Sequence, residues 1–181
     1  MAGEQQIKVG DLWFSPLLSI EQIQEQVSAM GRALRAKYQG TNPLLVGVLN
    51  GCFLFMADLV RAMDIPCEIA FLRIRSYDGL QSDDQPELLI PSDCQFAGRT
   101  VLLVEDIVDT GRTLTFLREV LRKSQAQSVT TVALLYKPKA LQIGEGPEYA
   151  CFTIGNSFVV GYGLDYQGQG RQLQAIYALA E

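Results

Sequence analysis

The sequence predicts an α/β fold, a parallel twisted sheet flanked by helices. Three observations carry that expectation. Short apolar runs rich in β-branched residues recur at 44–49, 101–104 and 129–136, the pattern of strands buried on both faces. Segments between them repeat apolar residues at helical spacing. Strand and helix then alternate along the chain, as βαβ units require.

Taken in order, residues before about 15 carry no clear pattern beyond a few apolar positions. A helix is expected from Ser19, because Ser19 and Gln22 have capping-box spacing. Ile20, Ile23, Val27, Met30 and Leu34 then alternate steps of three and four, and Gly40 ends the element. A buried strand over 44–49 meets the turn Asn50-Gly51, and a second helix runs over about 53–63. Pro66 interrupts before a strand at 67–74. The polar stretch 76–91 reads as a long surface loop with a short strand at 88–90, and loops of that length are often lids. After the strand at 129–136 comes Lys137-Pro138-Lys139. Shorter strands at 150–154 and 158–162 surround Gly155-Asn156-Ser157.

The 181 residues are expected to form one compact domain over 1–181, with no repeat or low-complexity segment. Hydrophobic content of 48% and charged content of 19% are those of an ordinary soluble globular protein. No apolar run approaches the length of a membrane span and no charged-then-apolar leader opens the chain, so a cytoplasmic protein is expected. Cys52, Cys67, Cys94 and Cys151 lack CxxC spacing and read as small buried residues, not a zinc or disulfide frame. Histidine is absent, which excludes Ser-His-Asp and Cys-His catalysis and leaves acid–base work to carboxylates, lysines or tyrosines. A net charge of −5 argues against a broad nucleic-acid surface.

The stretch Thr100 to Leu117 holds the densest chemistry. The apolar strand at 101–104 ends in Glu105 and Asp106, the turn Asp109-Thr110-Gly111-Arg112-Thr113 follows, and a helix begins at about Thr113. Amides in the first turn of a helix have no internal partners and the dipole adds positive potential, so this turn is an anion site. Thr110 and Thr113 add hydroxyls, and Gly111 would let the backbone pass close to a phosphate. Two carboxylates beside a phosphate make sense if the ligand also carries hydroxyls or a magnesium ion. A Walker A loop is excluded, because Gly111-Arg112-Thr113 lacks both the lysine and the upstream glycine. No GxGxxG follows a strand, so a dinucleotide fold has no support.

An apolar strand, two acids, and Asp-Thr-Gly before a threonine resembles the phosphoribosyl pyrophosphate (PRPP) signature of type I phosphoribosyltransferases. From about Ser19 to Arg171 the chain resembles, more narrowly, the bacterial-type hypoxanthine/guanine phosphoribosyltransferases. The matching segments are LLVGVL at 44–49, FMADL at 55–59, Ser76-Tyr77, the central stretch, and FVVGYGLDY at 158–166. That resemblance implies a small hood or lid beside the main sheet and a magnesium-dependent transferase of purine salvage. The 6-oxopurine would displace pyrophosphate from PRPP at C1′ and yield a nucleoside 5′-monophosphate. A homo-oligomer acting on small molecules is expected, with no membrane or nucleic-acid partner.

Site roles follow from the same resemblance. The turn formed by Ile107, Val108, Asp109, Thr110, Gly111, Arg112 and Thr113 would hold the 5-phosphate. Glu105 and Asp106 would hold the ribose hydroxyls or their magnesium, and Asp165 a second magnesium on pyrophosphate. Asn50, Gly51 and Arg171 would meet pyrophosphate, and Ser76 and Tyr77 would open the lid. Asp109 would be the general base near N7, although by itself a carboxylate there also reads as a helix cap. Lys137 would donate to the 6-oxo group, Phe158 would stack on the purine, and the Val159 backbone would read its remaining edge. Alone, Phe158 reads as core, Lys137 as a solvated lysine, and Asp165 and Arg171 as surface charge.

Two departures stand out. Asn50 replaces the lysine or arginine usual in the family, and Ser82-Asp83-Asp84-Gln85-Pro86-Glu87 is acidic where the family is Ser/Thr/Gly-rich. These favour one rival, a non-catalytic PRPP-binding regulator, whereas retention of Asp109 with Lys137 favours an enzyme, for which a transferase for another base such as xanthine is the alternative.

Overall fold

In the computed structural model, residues 5–75, 87–91 and 94–180 are described. A first strand, β1 (Ile7–Val9), turns through Gly10 and Asp11 into β2 (Leu12–Leu18), and α1 (Ile20–Tyr38) follows. Next come β3 (Leu44–Leu49), α2 (Phe53–Met63), β4 (Glu68–Arg75) and β5 (Glu87–Leu89). The central strand is β6 (Thr100–Val108), followed by α3 (Arg112–Lys123) and β7 (Ser128–Tyr136). The chain closes through β8 (Tyr149–Thr153), β9 (Val159–Val160) and β10 (Ile176–Leu179). Ser76, Tyr77 and the acidic run 82–86 lie outside the described residues.

The main sheet has the order β5-β4-β3-β6-β7-β8, with all pairs parallel except β4–β5. Its central strands alternate sides residue by residue, as the pleat demands. Leu45, Leu102 and Val104 face α1 and α2, packing with Ile23, Val27, Phe55 and Leu59. Val46, Val101 and Leu103 face the opposite side, with Leu114, Leu117 and Leu121 of α3. The helix periodicity read from the sequence therefore places each apolar stripe on a sheet face. The capping box at the start of α1 is present, with Ser19 Oγ accepting from the Gln22 amide at 3.3 Å and Gln22 Oε1 from the Ser19 amide at 2.8 Å.

A second, antiparallel sheet, β1-β2-β10-β9, forms the hood. Its hairpin was invisible in the sequence pattern before residue 15, and β10 was not expected at all. The strand expected over 158–162 shrinks to Val159–Val160 and pairs with β10 in this hood, not with the main sheet. The reason is local: Gly161, Tyr162 and Gly163 have φ of 103°, 48° and 99°, which no extended strand tolerates.

The strand of the central stretch is also longer than expected. Glu105 and Asp106 do not end it, because β6 stays paired with β7 as far as Val108 opposite Tyr136. Its pairing with β3 stops at Val104 opposite Gly47. From β3 the chain winds to β4 on one side, and from β6 to β7 on the other. The gap between β3 and β6 is thus the topological switch point, where open sheets leave a crevice.

Candidate active site

A cavity of 330 Å³ opens at that crevice. Asn50 and Gly51 line it from the end of β3, and Glu105, Asp106, Ile107 and Val108 from β6. Asp109, Gly111 and Thr113 follow from the turn into α3, and Asp165 and Arg171 reach it from the segment after β9. Thr110, Arg112, Lys137, Phe158 and Val159 are not among its walls. Residues at the ends of β3, β6 and β9 therefore converge on the cavity, and Lys137, which follows β7, does not line it.

Each exception has a physical cause. The Thr110 carbonyl accepts from the amides of Gln142 at 3.0 Å and Ile143 at 3.3 Å, and Arg112 Nη2 donates to Gln142 Oε1 at 3.3 Å. Both residues are turned toward the loop that follows Lys137. Gly111, with φ of 80°, serves that same contact: a Cβ there would lie 2.2 Å from the Ile143 carbonyl oxygen. Loop packing, and not only phosphate approach, thus demands the glycine. Lys137 is 8% exposed, and its amide donates to the Val108 carbonyl at 2.9 Å. Burial pulls its ammonium pKa down, opposed by the nearby Asp109 carboxylate. A solvated lysine is excluded, and a donor beside Asp109 remains.

Asp109 does not cap α3. The cap residue is Gly111, which makes no side-chain cap bond, and Asp109 Oδ1 accepts from the Thr110 amide. The helix begins at Arg112, one position before the expected start, and Thr113 lies in its first turn. Phe158 is 45% exposed and packs against Phe14 at 6.3 Å and edge-on to Tyr166 at 5.9 Å. It is a surface ring supported from behind by the hood, not a core residue. Val159 beside it is buried.

The acids differ in setting. Glu105 is 4% exposed, and its Oε1 has no hydrogen-bond partner among the described residues. Burial, with the Asp106 charge, pushes its carboxyl well above the usual range. Asp106 is pushed up to about 6, chiefly by burial, although its Oδ1 accepts from the Ile107 amide at 2.9 Å. Its Oδ2 occupies the space beside Gly51, which has no side chain to exclude it. Asp165 pairs with Arg171 at 2.6 Å and accepts from the Gly168 amide at 2.7 Å, so neither is an idle surface charge. Cys52 sits beneath, its thiol pushed up to about 12 by burial and by Asp106 and Glu105. It is inert as a nucleophile.

Magnesium needs oxygen donors, and it commonly takes one or two carboxylates plus substrate oxygens and water. Among the described residues no three acidic or thiol side chains form a ready-made cage, so Glu105, Asp106 and Asp165 are not one common site. Two adjacent acids, the buried Glu105 with its unpartnered oxygen and the half-buried Asp106, fit an ion completed by its ligand.

Residues 17–167 match the family model described as "Phosphoribosyl transferase domain". A protein named "Hypoxanthine-guanine phosphoribosyltransferase" from Streptococcus agalactiae serotype V is 41% identical over 166 residues, 91% of this chain and 92% of that one. One named "Bifunctional protein TilS/HprT" from Listeria innocua serovar 6a is 40% identical over 161 residues, and there the match spans 88% of this chain but only 25% of the relative. The crystal structure of a hypoxanthine phosphoribosyltransferase from Staphylococcus aureus superimposes with a TM-score of 0.86 at 34% identity, covering 92% of this chain and 91% of that one. The switch-point crevice, the acid pair and these matches agree: the chain belongs to the phosphoribosyltransferase family.

Proposed function

We propose that residues 1–181 act as one phosphoribosyltransferase domain that moves the 5-phosphoribosyl group of PRPP onto a 6-oxopurine, hypoxanthine or guanine. The observation that carries this reading is a crevice with a helix N-terminus on one wall and two adjacent acids on another, Glu105 buried and Asp106 half-buried. A helix start attracts phosphate. Acceptor oxygens beside it suit the hydroxyls of a sugar. Asp109 would take the N7 proton as the purine attacks C1′, and Lys137 would donate to the 6-oxo group. Adenine offers an amino donor at that position and would leave Lys137 unpaired. Glu105 and Asp106 would hold magnesium together with substrate oxygens, and the ion would neutralise the charge of the departing pyrophosphate. The resemblance extends the proposal to a homo-oligomer in the cytoplasm, the first part of which light scattering tests.

A second reading, a PRPP-binding regulator with weak catalysis, is favoured by Asn50, an exposed neutral side chain at the pyrophosphate end of the crevice. One plate decides between them. Protein, PRPP and magnesium are incubated with hypoxanthine, guanine, xanthine, adenine or uracil, and pyrophosphate release is followed with and without chelator. Fast release with the first two bases, lost on chelation, supports the transferase. Rapid turnover of adenine excludes the Lys137 role, and no turnover with any base supports the regulator.

A further inference from the structure

The segment 161–171 does more than supply Asp165 and Arg171. It presses directly on the turn after β3: a Cβ on Gly163 would lie 2.1 Å from the Gly51 carbonyl oxygen. Arg171 Nη1 donates to the Gly163 carbonyl at 2.7 Å, so the pyrophosphate arginine hangs on the same peptide. Tyr162 precedes that contact in left-handed backbone, with φ of 48° between two glycines at 103° and 99°. A tyrosine in that region persists only where its surroundings hold it there. Two bonds do so. Its amide donates to the Leu173 carbonyl at 2.7 Å, and its Oη donates to Asp58 Oδ2 at 2.5 Å.

Asp58 belongs to α2, whose first turn follows Asn50 and Gly51 directly, with the Phe53 amide donating to the Asn50 carbonyl at 3.4 Å. The same helix therefore holds both partners of the Gly51–Gly163 contact, one through its start and one through Asp58. Asp58 is kept in place by Arg61 one turn on. The Tyr162 ring is buried among Val27, Leu59 and neighbouring core residues, while only its hydroxyl reaches the carboxylate. Burial and that carboxylate hold the phenol protonated, so Tyr162 is the donor.

We infer that Tyr162, clamped by Asp58, is a positioning residue that sets the pyrophosphate wall of the crevice by holding Gly163, and with it Arg171, against Gly51. Among the described residues Tyr162 and Asp58 make no hydrogen bond to Glu105, Asp106 or Lys137, and the clamp meets the acid pair only through Gly51, which abuts Asp106. It rests on the reading that the crevice receives PRPP, and it predicts a selective effect on that substrate.

The test uses the full chain. Tyr162→Phe keeps the ring and removes one hydrogen bond to a carboxylate, so KM for PRPP should rise about tenfold while KM for hypoxanthine stays within about twofold. Asp58→Ala should do the same, the double variant should be no worse than the worse single, and Asp58→Asn, which keeps an acceptor oxygen, should retain most of the PRPP affinity. Unchanged KM for PRPP in Tyr162→Phe overturns the clamp. So does an equal rise for both substrates, or Asp58→Asn behaving like Asp58→Ala. Hydrogen exchange separates this from the activity itself. The Tyr162 and Gly163 amides donate to Leu173 and Arg171 carbonyls, and they should exchange about tenfold faster in Tyr162→Phe. Unaltered exchange overturns the clamp whatever the activity, whereas a wild-type chain inactive on every purine overturns the transferase reading alone.

Discussion

The carboxylate of Asp106 stands where a side chain on Gly51 would be: Oδ2 lies 1.4 Å from the position a Cβ would take. The turn after β3 and the acid on β6 are therefore built against each other across the switch point. Gly51→Ala must move one of them. Overpacking of this kind costs roughly 1–3 kcal/mol. The expected outcome is a lower melting temperature together with loss of PRPP affinity, read by calorimetry and equilibrium binding. A variant as stable as wild type and binding PRPP normally would mean that the two segments yield freely.

Asp106 itself predicts a pH dependence. Burial raises its pKa from 3.8 to about 6, so the folded chain keeps a proton that the unfolded chain releases. Stability attributable to this group is therefore full below the unfolded value, falls as pH rises from about 4 to about 6, and stays lost above it, by at most about 3 kcal/mol. An asparagine does not titrate, and its oxygen can still accept from the Ile107 amide. Asp106→Asn should match wild type near pH 4 and exceed it near pH 7, each value approximate, while PRPP binding fails. Denaturant melts across that range check it, and a difference that does not vary with pH counts against the burial argument.

How far the sequence carried this site depends on whether each signal is local. Apolar runs at β3 and β7 and the 3.6-residue repeats of α1 and α2 depend on near neighbours in the chain, and their bounds agree with the structure to within a residue or two. The acid pair and the turn Asp109 to Thr113 were readable for the same reason. Contacts between remote segments were not. Gly111 looked like a phosphate glycine, yet its missing side chain is also required by Ile143, and no spacing near residue 111 announces that. The hood was expected from the resemblance, but its strands were not legible for a related cause: β1, β9 and β10 are only three, two and four residues long, too short to show a period before pairing supplies their partners. Tyr162 sat inside an apolar run that reads as strand, and only its flanking glycines hinted that the backbone turns there.

Asp109 is freed from any capping duty, since Gly111 caps α3. Its value to the reaction can then be measured without unfolding the helix start. General base catalysis contributes on the order of a hundred- to ten-thousand-fold. Asp109→Asn should lower kcat by an amount in that range, while PRPP still binds and the melting temperature holds. Nearly full kcat in a well-folded variant would remove Asp109 from the chemistry.

Asn50 gives the sharpest test of the pyrophosphate wall. It is exposed at the end of β3, lines the crevice, and uses its carbonyl to receive the Phe53 amide, which leaves its side chain toward the cavity mouth unconstrained by that bond. A neutral amide offers a hydrogen bond worth about 1 kcal/mol, against roughly 1.5–3 kcal/mol for a charge-assisted one. Asn50→Lys should therefore tighten PRPP and pyrophosphate by a few-fold to about thirty-fold, with little change for the free purine. Two acids oppose any gain from elsewhere: Asp106 and Asp165 lie on the same cavity, so a lysine drawn to them instead of to substrate would raise stability without improving affinity. Salt distinguishes the outcomes, because an exposed ammonium is screened and the gain should shrink as ionic strength rises. Dissociation constants of PRPP for both proteins at low and high salt settle the point, and unchanged or weaker binding in a folded Asn50→Lys chain would place pyrophosphate away from this turn.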